Sequence, residues 1–207
     1  NFIEKVRSIT GKPTGIKFVL GQANWLDDLL EKIHTRGIAS APDFITLDSA
    51  DGGTGAAPQS LMDNLGLTVW ESLPTLDKKL RDAGLRDRIK LIASGKMVNP
   101  SGVAAALCLG ADSVNTARGF MFALGCIQAL QCNQNTCPTG ITTHDPKLQN
   151  GLNPISKADR VASYARSIKK EVELIAHSAG VMEPHNLGRE HAFIIDAQGK
   201  PVPLLQH

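Results

Sequence analysis

The sequence IKLIASGKMVNPSGVAAALCLGADSVNTARG, residues 89–119, contains a complete strand–helix–strand unit. Its first seven residues, 89–95, form an apolar run of the kind found in buried parallel strands. Residues 100–109 predict a helix that ends at Gly110, and residues 111–119 predict the next strand. Two strands joined through a helix in this way form a parallel pair.

The same alternation precedes this unit along the chain. We predict strands over 15–20 and 43–49, helices over 1–9, 25–35 and 75–82, and a long amphipathic helix over 157–179. Four strand–helix units predict an α/β fold with a parallel sheet, and polar residues follow the carboxyl end of each strand, as in (β/α)8 TIM barrels. Four units are half of such a barrel. We therefore expect the C-terminal half of a barrel, belonging to a longer protein.

Within this half barrel we expect two parts. Residues 1–155 should form the four units together with a cysteine segment at 125–140, and residues 156–207 should form a helix and tail packed on them. The last ten residues, QGKPVPLLQH, show no pattern that predicts a helix or a strand.

Bulk composition excludes several function classes. A net charge of +2 and an aromatic content of 4% argue against a nucleic-acid partner or an anionic membrane surface. No apolar run approaches the roughly 20 residues of a membrane span. Four cysteines without secretory features suit a reducing compartment, so we expect a cytoplasmic protein.

The segment GCIQALQCNQNTCPTG, residues 125–140, holds three of the four cysteines. They are Cys126, Cys132 and Cys137, and Pro138 follows the last. Closely spaced thiolates ending in Cys-Pro favour an iron–sulfur cluster. Three buried structural cysteines are the alternative. A zinc site would need Cys pairs two to four residues apart and a fourth ligand, for which His144 is the nearest candidate.

Two loops after predicted strands could bind a phosphate group. They comprise Ser94, Gly95 and Lys96 after one strand and Ala117, Arg118 and Gly119 after the next. In phosphate-binding barrels the loops after the last two strands hold the phosphate, using close backbone approach and positive charge. Alternatively, the glycines only terminate strands and the two cations are solvated.

Two further features suggest a ligand site. The loop DGGTGA follows a predicted strand, and its density of glycine exceeds what a plain turn needs, so we expect Asp51, Gly52, Gly53, Thr54 and Gly55 to face a ligand. Lys17 lies within an apolar strand. In a barrel lumen its ammonium must meet an anion or an electron-rich group, although a solvated edge lysine is the plainer interpretation.

These motifs together resemble the FMN-binding barrel domain of glutamate synthase, in the lineage of shorter FMN-binding glutamate synthase-like proteins. The resemblance extends from Gly15 to Asp145. It rests on GIKFV, DGGTGAAP, LRDRIKLIASGK, ALCLGADSVNTARGFMFALGC and CNQNTCPTGITTHDP, of which the last two are the most specific.

The resemblance implies two cofactors and a set of residues around them. It implies a [3Fe–4S] cluster on the three cysteines of the segment 125–140, and FMN at the carboxyl face of the barrel. Lys17 matches the family lysine beside the flavin ring and the 2-oxoglutarate pocket, which residues 52–55 would line. Ser94, Gly95, Ala117 and Arg118 match the segments around the flavin phosphate.

The implied reaction is the reduction of 2-iminoglutarate, made from 2-oxoglutarate and ammonia, to L-glutamate. Electrons would come from ferredoxin or an NAD(P)H-oxidising subunit, and ammonia could come from glutamine through a separate amidotransferase domain or subunit. Two alternatives stay open. One is another FMN-dependent barrel oxidoreductase, of the IMP dehydrogenase or hydroxy-acid oxidase kind, and the other is a flavin and iron–sulfur electron-transfer subunit that does not aminate.

Overall fold

Four parallel strands form the central sheet in the order β1–β2–β3–β4. The computed structural model describes residues 2–51 and 60–204. The strands are β1 (Ile16–Val19), β2 (Phe44–Asp48), β3 (Lys90–Ser94) and β4 (Ser113–Asn115). The chain therefore has the predicted α/β fold with a parallel sheet.

Seven α-helices are described, and three of them cross between neighbouring strands. They are α1 (Phe2–Thr10), α2 (Asn24–Arg36), α3 (Val69–Asp82), α4 (Pro100–Cys108), α5 (Arg118–Leu124), α6 (Pro146–Gln149) and α7 (Pro154–Ser178). Side-chain caps start several of them. Asn99 Oδ1 accepts from the Gly102 amide at α4, and Asn153 Oδ1 accepts from the first amides of α7. Helix α7 packs against α4 and α5.

The two faces of the sheet differ in polarity because alternate residues of a strand point to opposite sides. One face carries Ile45, Leu47, Leu91 and Ala93, all buried in the apolar core with the inner sides of α2, α3 and α4. The other face carries a row of polar residues, namely Lys17, Thr46, Asp48, Ser94, Ser113 and Asn115. A polar row on one face is what the lumen side of a barrel needs to hold a ligand.

An ion network connects the chain segments at the amino ends of β3 and β4. The Asp77 carboxylate is 1% exposed and accepts from Arg86 Nε at 2.8 Å, with Arg81 and Arg189 also paired to it. Arg86 also donates to Asp112 and to the Gly110 carbonyl. This cluster therefore joins α3, the approach to β3 and the approach to β4.

A second ion cluster fixes the chain before β1 and β2. Asp43 accepts from Arg7, Arg88 and the Thr14 amide, at 2.7 to 2.8 Å. Burial alone would raise the pKa of Asp43, but these hydrogen bonds and the Arg7 charge outweigh it and lower the pKa to about 2.

Three predicted element boundaries were wrong. Helix α3 begins at Val69 instead of residue 75, because a capping box between Thr68 and Glu71 starts it and Pro74 is accommodated inside. Strand β4 has three residues, and Arg118 and Gly119 lie in the first turn of α5 instead of at a strand end. The last ten residues, for which no element was predicted, contain β6 (Pro201–Pro203), which pairs antiparallel with β5 (Phe193–Ile195) shortly before them.

The division of the chain at residue 155 stays a prediction.

Among the helices of the described ranges, none combines the length and the apolar character that crossing a membrane requires.

Candidate functional site

Lys17 projects from the polar face of the sheet and forms an ion pair with a carboxylate of the same chain. Its Nζ lies 2.7 Å from Oδ2 of Asp48 on the neighbouring strand β2. The Lys17 side chain is 53% exposed, whereas that of Asp48 is 4% exposed. The second oxygen of Asp48 accepts from the Ser49 amide at 3.0 Å. The carboxylate is therefore fixed at both oxygens, and the ammonium reaches outward from it.

Ser49 organises the chain directly after β2. Its hydroxyl donates to Asp51 Oδ1 at 2.8 Å and accepts from the Val69 amide at the start of α3. Asp51 thus lies at the carboxyl edge of the sheet, and its role in facing a ligand stays a prediction. The other members of that loop, Gly52, Gly53, Thr54 and Gly55, lie outside the described residues.

The first predicted phosphate loop begins where β3 ends. Gly95 has a φ of +150°, and a Cβ there would lie 2.5 Å from the Ser49 Cβ, so glycine is required by packing on Ser49. Ser94 is half-buried on the polar face. The Lys96 ammonium pairs with Asp63 at 2.7 Å on the surface.

The second predicted loop lies beside the first. Ser94 pairs with Asn115 across β3 and β4, so the segments after these strands leave the sheet as neighbours. Tyr164 of α7 joins them, because its hydroxyl donates to the Val98 carbonyl at 3.1 Å and lies 3.2 Å from Thr116 Oγ1.

Within this second loop, Ala117 is exposed and Arg118 is half-buried at the start of α5. Gly119 is buried where a Cβ would overlap the Tyr164 hydroxyl. The structure therefore brings Ser94–Lys96 and Ala117–Gly119 to one edge of the sheet.

The cysteine segment begins at the end of α5. Gly125 ends the helix with a φ of +100°, and the Cys126 amide bonds back to the Met121 carbonyl at 2.9 Å. Cys126, Cys132 and Cys137 then line one small, partly enclosed cavity with a volume of about 10 Å³. His144, the candidate fourth zinc ligand, is exposed and is absent from the residues that line this cavity.

The backbone around the cavity is held in an unusual conformation. Gln128, Leu130 and Asn135 all have positive φ, between 56° and 62°. Left-handed conformations at non-glycine residues persist only where the surroundings enforce them, and they cluster at functional sites. Asn135 is fixed by bonds from Thr143 Oγ1 and the His144 amide.

Hydrogen-bond donors also approach the sulfur atoms. The Gln128 amide lies 3.4 Å from Cys126 Sγ, and Thr139 Oγ1 lies 3.3 Å from Cys137 Sγ. Burial raises the pKa of the Cys137 thiol, but hydrogen bonds from Thr139 and Thr142 outweigh this and lower the pKa to about 6. The environment of Cys137 therefore favours the thiolate, the form that ligates metals.

The three cysteines are not drawn together as ligands of a single metal ion. Across residues 2–51 and 60–204, no three His, Cys, Asp or Glu side chains are grouped so that they could hold a metal ion. A cluster attaches each cysteine to a different iron atom, so its ligands must surround a cavity instead of meeting at one point. The three thiols line one small cavity, and donors lie near the sulfurs of Cys126 and Cys137, but the cluster stays a prediction.

Cys108, the fourth cysteine, is buried on α4, and burial raises the pKa of its thiol. Asp48, Ser49 and Tyr164 were not predicted as site residues. The alternation of β2 places Asp48 on the same face as Thr46, but only the strand register relates that face to Lys17. Tyr164 lies 48 residues after Thr116, and no sequence pattern relates the two.

Comparison with known proteins gives relatives of one kind. A family model described as "Conserved region in glutamate synthase" matches residues 1–182. The chain is 45% identical over 191 residues to the glutamate synthase large subunit-like protein YerD of Bacillus subtilis, covering 92% of this chain and 36% of that protein. It is 36% identical over 146 residues to the archaeal glutamate synthase [NADPH] of Methanocaldococcus jannaschii, covering 70% and 29%. The chain thus spans roughly a third of these relatives' length.

Among solved structures, the fold is similar to that of flavocytochrome b2, with a TM-score of 0.54 and 16% identity over 90% of this chain and 36% of that one. The flavin-binding domain of baker's yeast flavocytochrome b2 gives a TM-score of 0.50 and 20% identity over the same shares. These likenesses show the fold, and they confirm the prediction of part of a (β/α)8 barrel. The family match and the sequence relatives together show that this chain belongs to the glutamate synthase family.

Proposed function

We propose that this chain is the C-terminal half of the flavin-binding barrel in a glutamate synthase-type oxidoreductase, which forms L-glutamate from 2-oxoglutarate and ammonia. The observation that carries the proposal is that Cys126, Cys132 and Cys137 line one cavity directly after the helix that follows β4. Family membership supports the reaction class. The flavocytochrome likeness supports a fold that can hold a flavin.

Two bound groups would supply the redox chemistry. FMN would supply the hydride that reduces 2-iminoglutarate, and a [3Fe–4S] cluster would supply the electrons. The three cysteines would hold the cluster, with the Gln128 amide, the Thr139 hydroxyl and the Thr142 backbone amide stabilising the thiolates. Ser94, Gly95, Lys96, Ala117, Arg118 and Gly119 would hold the flavin phosphate at the edge where β3 and β4 end.

At the substrate end of the site, Lys17 and the loop after β2 would bind 2-oxoglutarate. The half-exposed ammonium of Lys17 would place positive charge beside the flavin and the 2-oxoglutarate carboxylates. Asp51, held by Ser49, would position the loop of residues 52–55. Residues upstream of this chain would complete the pocket.

We place the protein in the cytoplasm, where thiols stay reduced. Its electron donor would be ferredoxin or an NAD(P)H-oxidising subunit. The NADPH in the name of the archaeal relative supports the second. Ammonia would be used directly or be released from glutamine by an amidotransferase domain or subunit.

Spectroscopy of the purified protein, expressed with its full natural chain, tests the cofactors. We expect flavin absorbance with a broad iron–sulfur shoulder, and an EPR signal of a three-iron cluster in the oxidised state. Serine at Cys126, Cys132 or Cys137 should abolish the EPR signal, whereas the matched control Cys108→Ser should retain it. If the wild-type protein contains no iron after anaerobic purification, the proposal of a cluster is contradicted.

Turnover then separates the remaining alternatives. With a reduced donor, 2-oxoglutarate and ammonia or glutamine, glutamate should form at a rate that depends on Lys17. A protein that binds both cofactors but forms no glutamate would be an electron-transfer subunit. A flavin without iron would favour another FMN-dependent barrel oxidoreductase.

A further inference from the structure

We propose that Asp48 is a positioning residue for Lys17, and that it holds the Lys17 ammonium on the polar face of the sheet and balances its charge. The inference deepens the proposed function and rests on it for the presence of the flavin. Neither the sequence patterns nor the resemblance assigns a role to Asp48.

The asymmetry of the pair shows which partner is the anchor. Asp48 is almost fully buried, and each of its oxygens is engaged, one by Lys17 at 2.7 Å and one by the Ser49 amide at 3.0 Å. Lys17 is half exposed and sits on a flexible four-carbon stem. The buried carboxylate therefore determines where the ammonium is held.

The register of the strands sets the direction in which Lys17 leans. Lys17 pairs with Thr46 across β1 and β2, and Asp48 lies two residues further along β2 on the same face. The ion pair thus draws the lysine side chain toward the carboxyl edge of the sheet. The Asp51 loop and the two predicted phosphate loops lie at that edge.

The two residues should depend on each other energetically. A buried carboxylate that loses its cation is costly, because it leaves an uncompensated charge. Conversely, a nearby carboxylate offsets the field that Lys17 exerts on any anionic ligand. Replacing Asp48 and replacing Lys17 should therefore change that field in opposite directions.

Sulfite affinity of the flavin-loaded protein measures this field. Sulfite donates its electron pair to flavin N5, forms an S–N bond and leaves the added negative charge on the flavin ring. Asp48→Asn keeps the side-chain shape and should strengthen sulfite binding, on the order of tenfold. Lys17→Met should weaken it by a similar factor, and the double variant should lie near the wild type. Weaker or unchanged sulfite binding in Asp48→Asn would overturn the inference.

Unfolding of the FMN-free protein tests the ion pair separately. In a double-mutant cycle, the destabilisation by Lys17→Met should be clearly smaller in the Asp48→Asn background. The exposed Lys78–Asp82 pair of α3, 2.7 Å apart, is the matched control, and its cycle should give little coupling and no change in sulfite affinity. Absence of coupling between Lys17 and Asp48 would overturn the inference whether or not flavin binds. A wild-type protein that takes up no FMN would overturn the proposed function. The coupling energy measured in the double-mutant cycle would still show whether Asp48 and Lys17 interact.

Discussion

The hydroxyl of Tyr164 occupies the space where a side chain on Gly119 would lie. A Cβ on Gly119 would overlap that hydroxyl oxygen, so the close approach of Tyr164 to α5 requires glycine at position 119. The same hydroxyl donates to the Val98 carbonyl and lies within hydrogen-bond distance of Thr116. One tyrosine therefore holds together the segments that follow β3 and β4.

We expect Gly119→Ala to destabilise the protein by about 1–3 kcal/mol, because the new methyl group must displace Tyr164. Tyr164→Phe removes only the hydroxyl and should cost about 1 kcal/mol. In the Tyr164→Phe background, Gly119→Ala should cost less than it does alone. Urea denaturation measures all three values, and equal costs in the two backgrounds would show that the hydroxyl does not set the requirement for glycine.

Removing Arg86 should be among the most damaging single changes. Arg86→Met leaves the buried Asp77 carboxylate without its most buried partner, and loss of one partner in a buried ion pair costs about 3–5 kcal/mol. The control Lys78→Met breaks the surface pair with Asp82 and should cost below about 1 kcal/mol. Chemical denaturation of both variants measures the difference. A loss for Arg86→Met no larger than that of the control would mean that Arg81 and Arg189 suffice.

The Asp43 cluster predicts a specific dependence of stability on pH. The pKa of Asp43 is about 2 in the folded protein and 3.8 ordinarily, so its stabilising effect is complete above about pH 4 and is lost as the pH falls toward 2. Because Asp43 is partly exposed, we expect its ionised carboxylate to stabilise the folded protein by on the order of 1–2 kcal/mol.

The measurement is the difference in free energy of unfolding between wild type and Asp43→Asn at several pH values. The difference should be constant from pH 6 to about 4 and should shrink below that. Asp82→Asn, at an exposed site, provides the control and should show no comparable trend. A difference that stays constant down to pH 2 would contradict the lowered pKa.

Gly125 should affect iron content as well as stability. Gly125→Ala forces a φ of +100° on a residue with a side chain, at a cost of about 1–2 kcal/mol, and it displaces Cys126 from the end of α5. We therefore expect less iron per protein chain after anaerobic purification.

The matched control for Gly125 is Gly180→Ala. Gly180 also has positive φ, follows α7 and has open space around it. The Gly180→Ala variant should lose a similar amount of stability but retain its iron. Equal iron loss in both variants would attribute the effect to general destabilisation.

Local patterns predicted the first three strands well because each is a short, largely apolar run that Gly or a polar residue ends. The buried strand around Ile45 and Leu47 and the helix that ends at Gly110 could both be identified in this way. The start of α3 could not, because Pro74 suggested a boundary, whereas the capping box at Thr68 determines it.

The site was only partly predictable. The cysteine spacing predicted the segment that lines the small cavity, since the three cysteines lie close together in sequence. The Lys17–Asp48 pair depends on strand register, and the Tyr164 contacts depend on how α7 returns to the sheet. Both are long-range packing relationships, and a single sequence encodes them without a local signal.

The two prolines of the C-terminal hairpin limit how that small sheet can grow. Hydrogen bonds between Asp196 and Lys200 and between Ala192 and Leu204 fix the alternation of the hairpin, which turns Pro201 and Pro203 outward. Proline has no N–H, so the outer edge of β6 offers no complete ladder to an added strand. Unwanted strand-to-strand aggregation is thus blocked on one side, and only the β5 edge, with its exposed Phe193 and Ile195, needs protection.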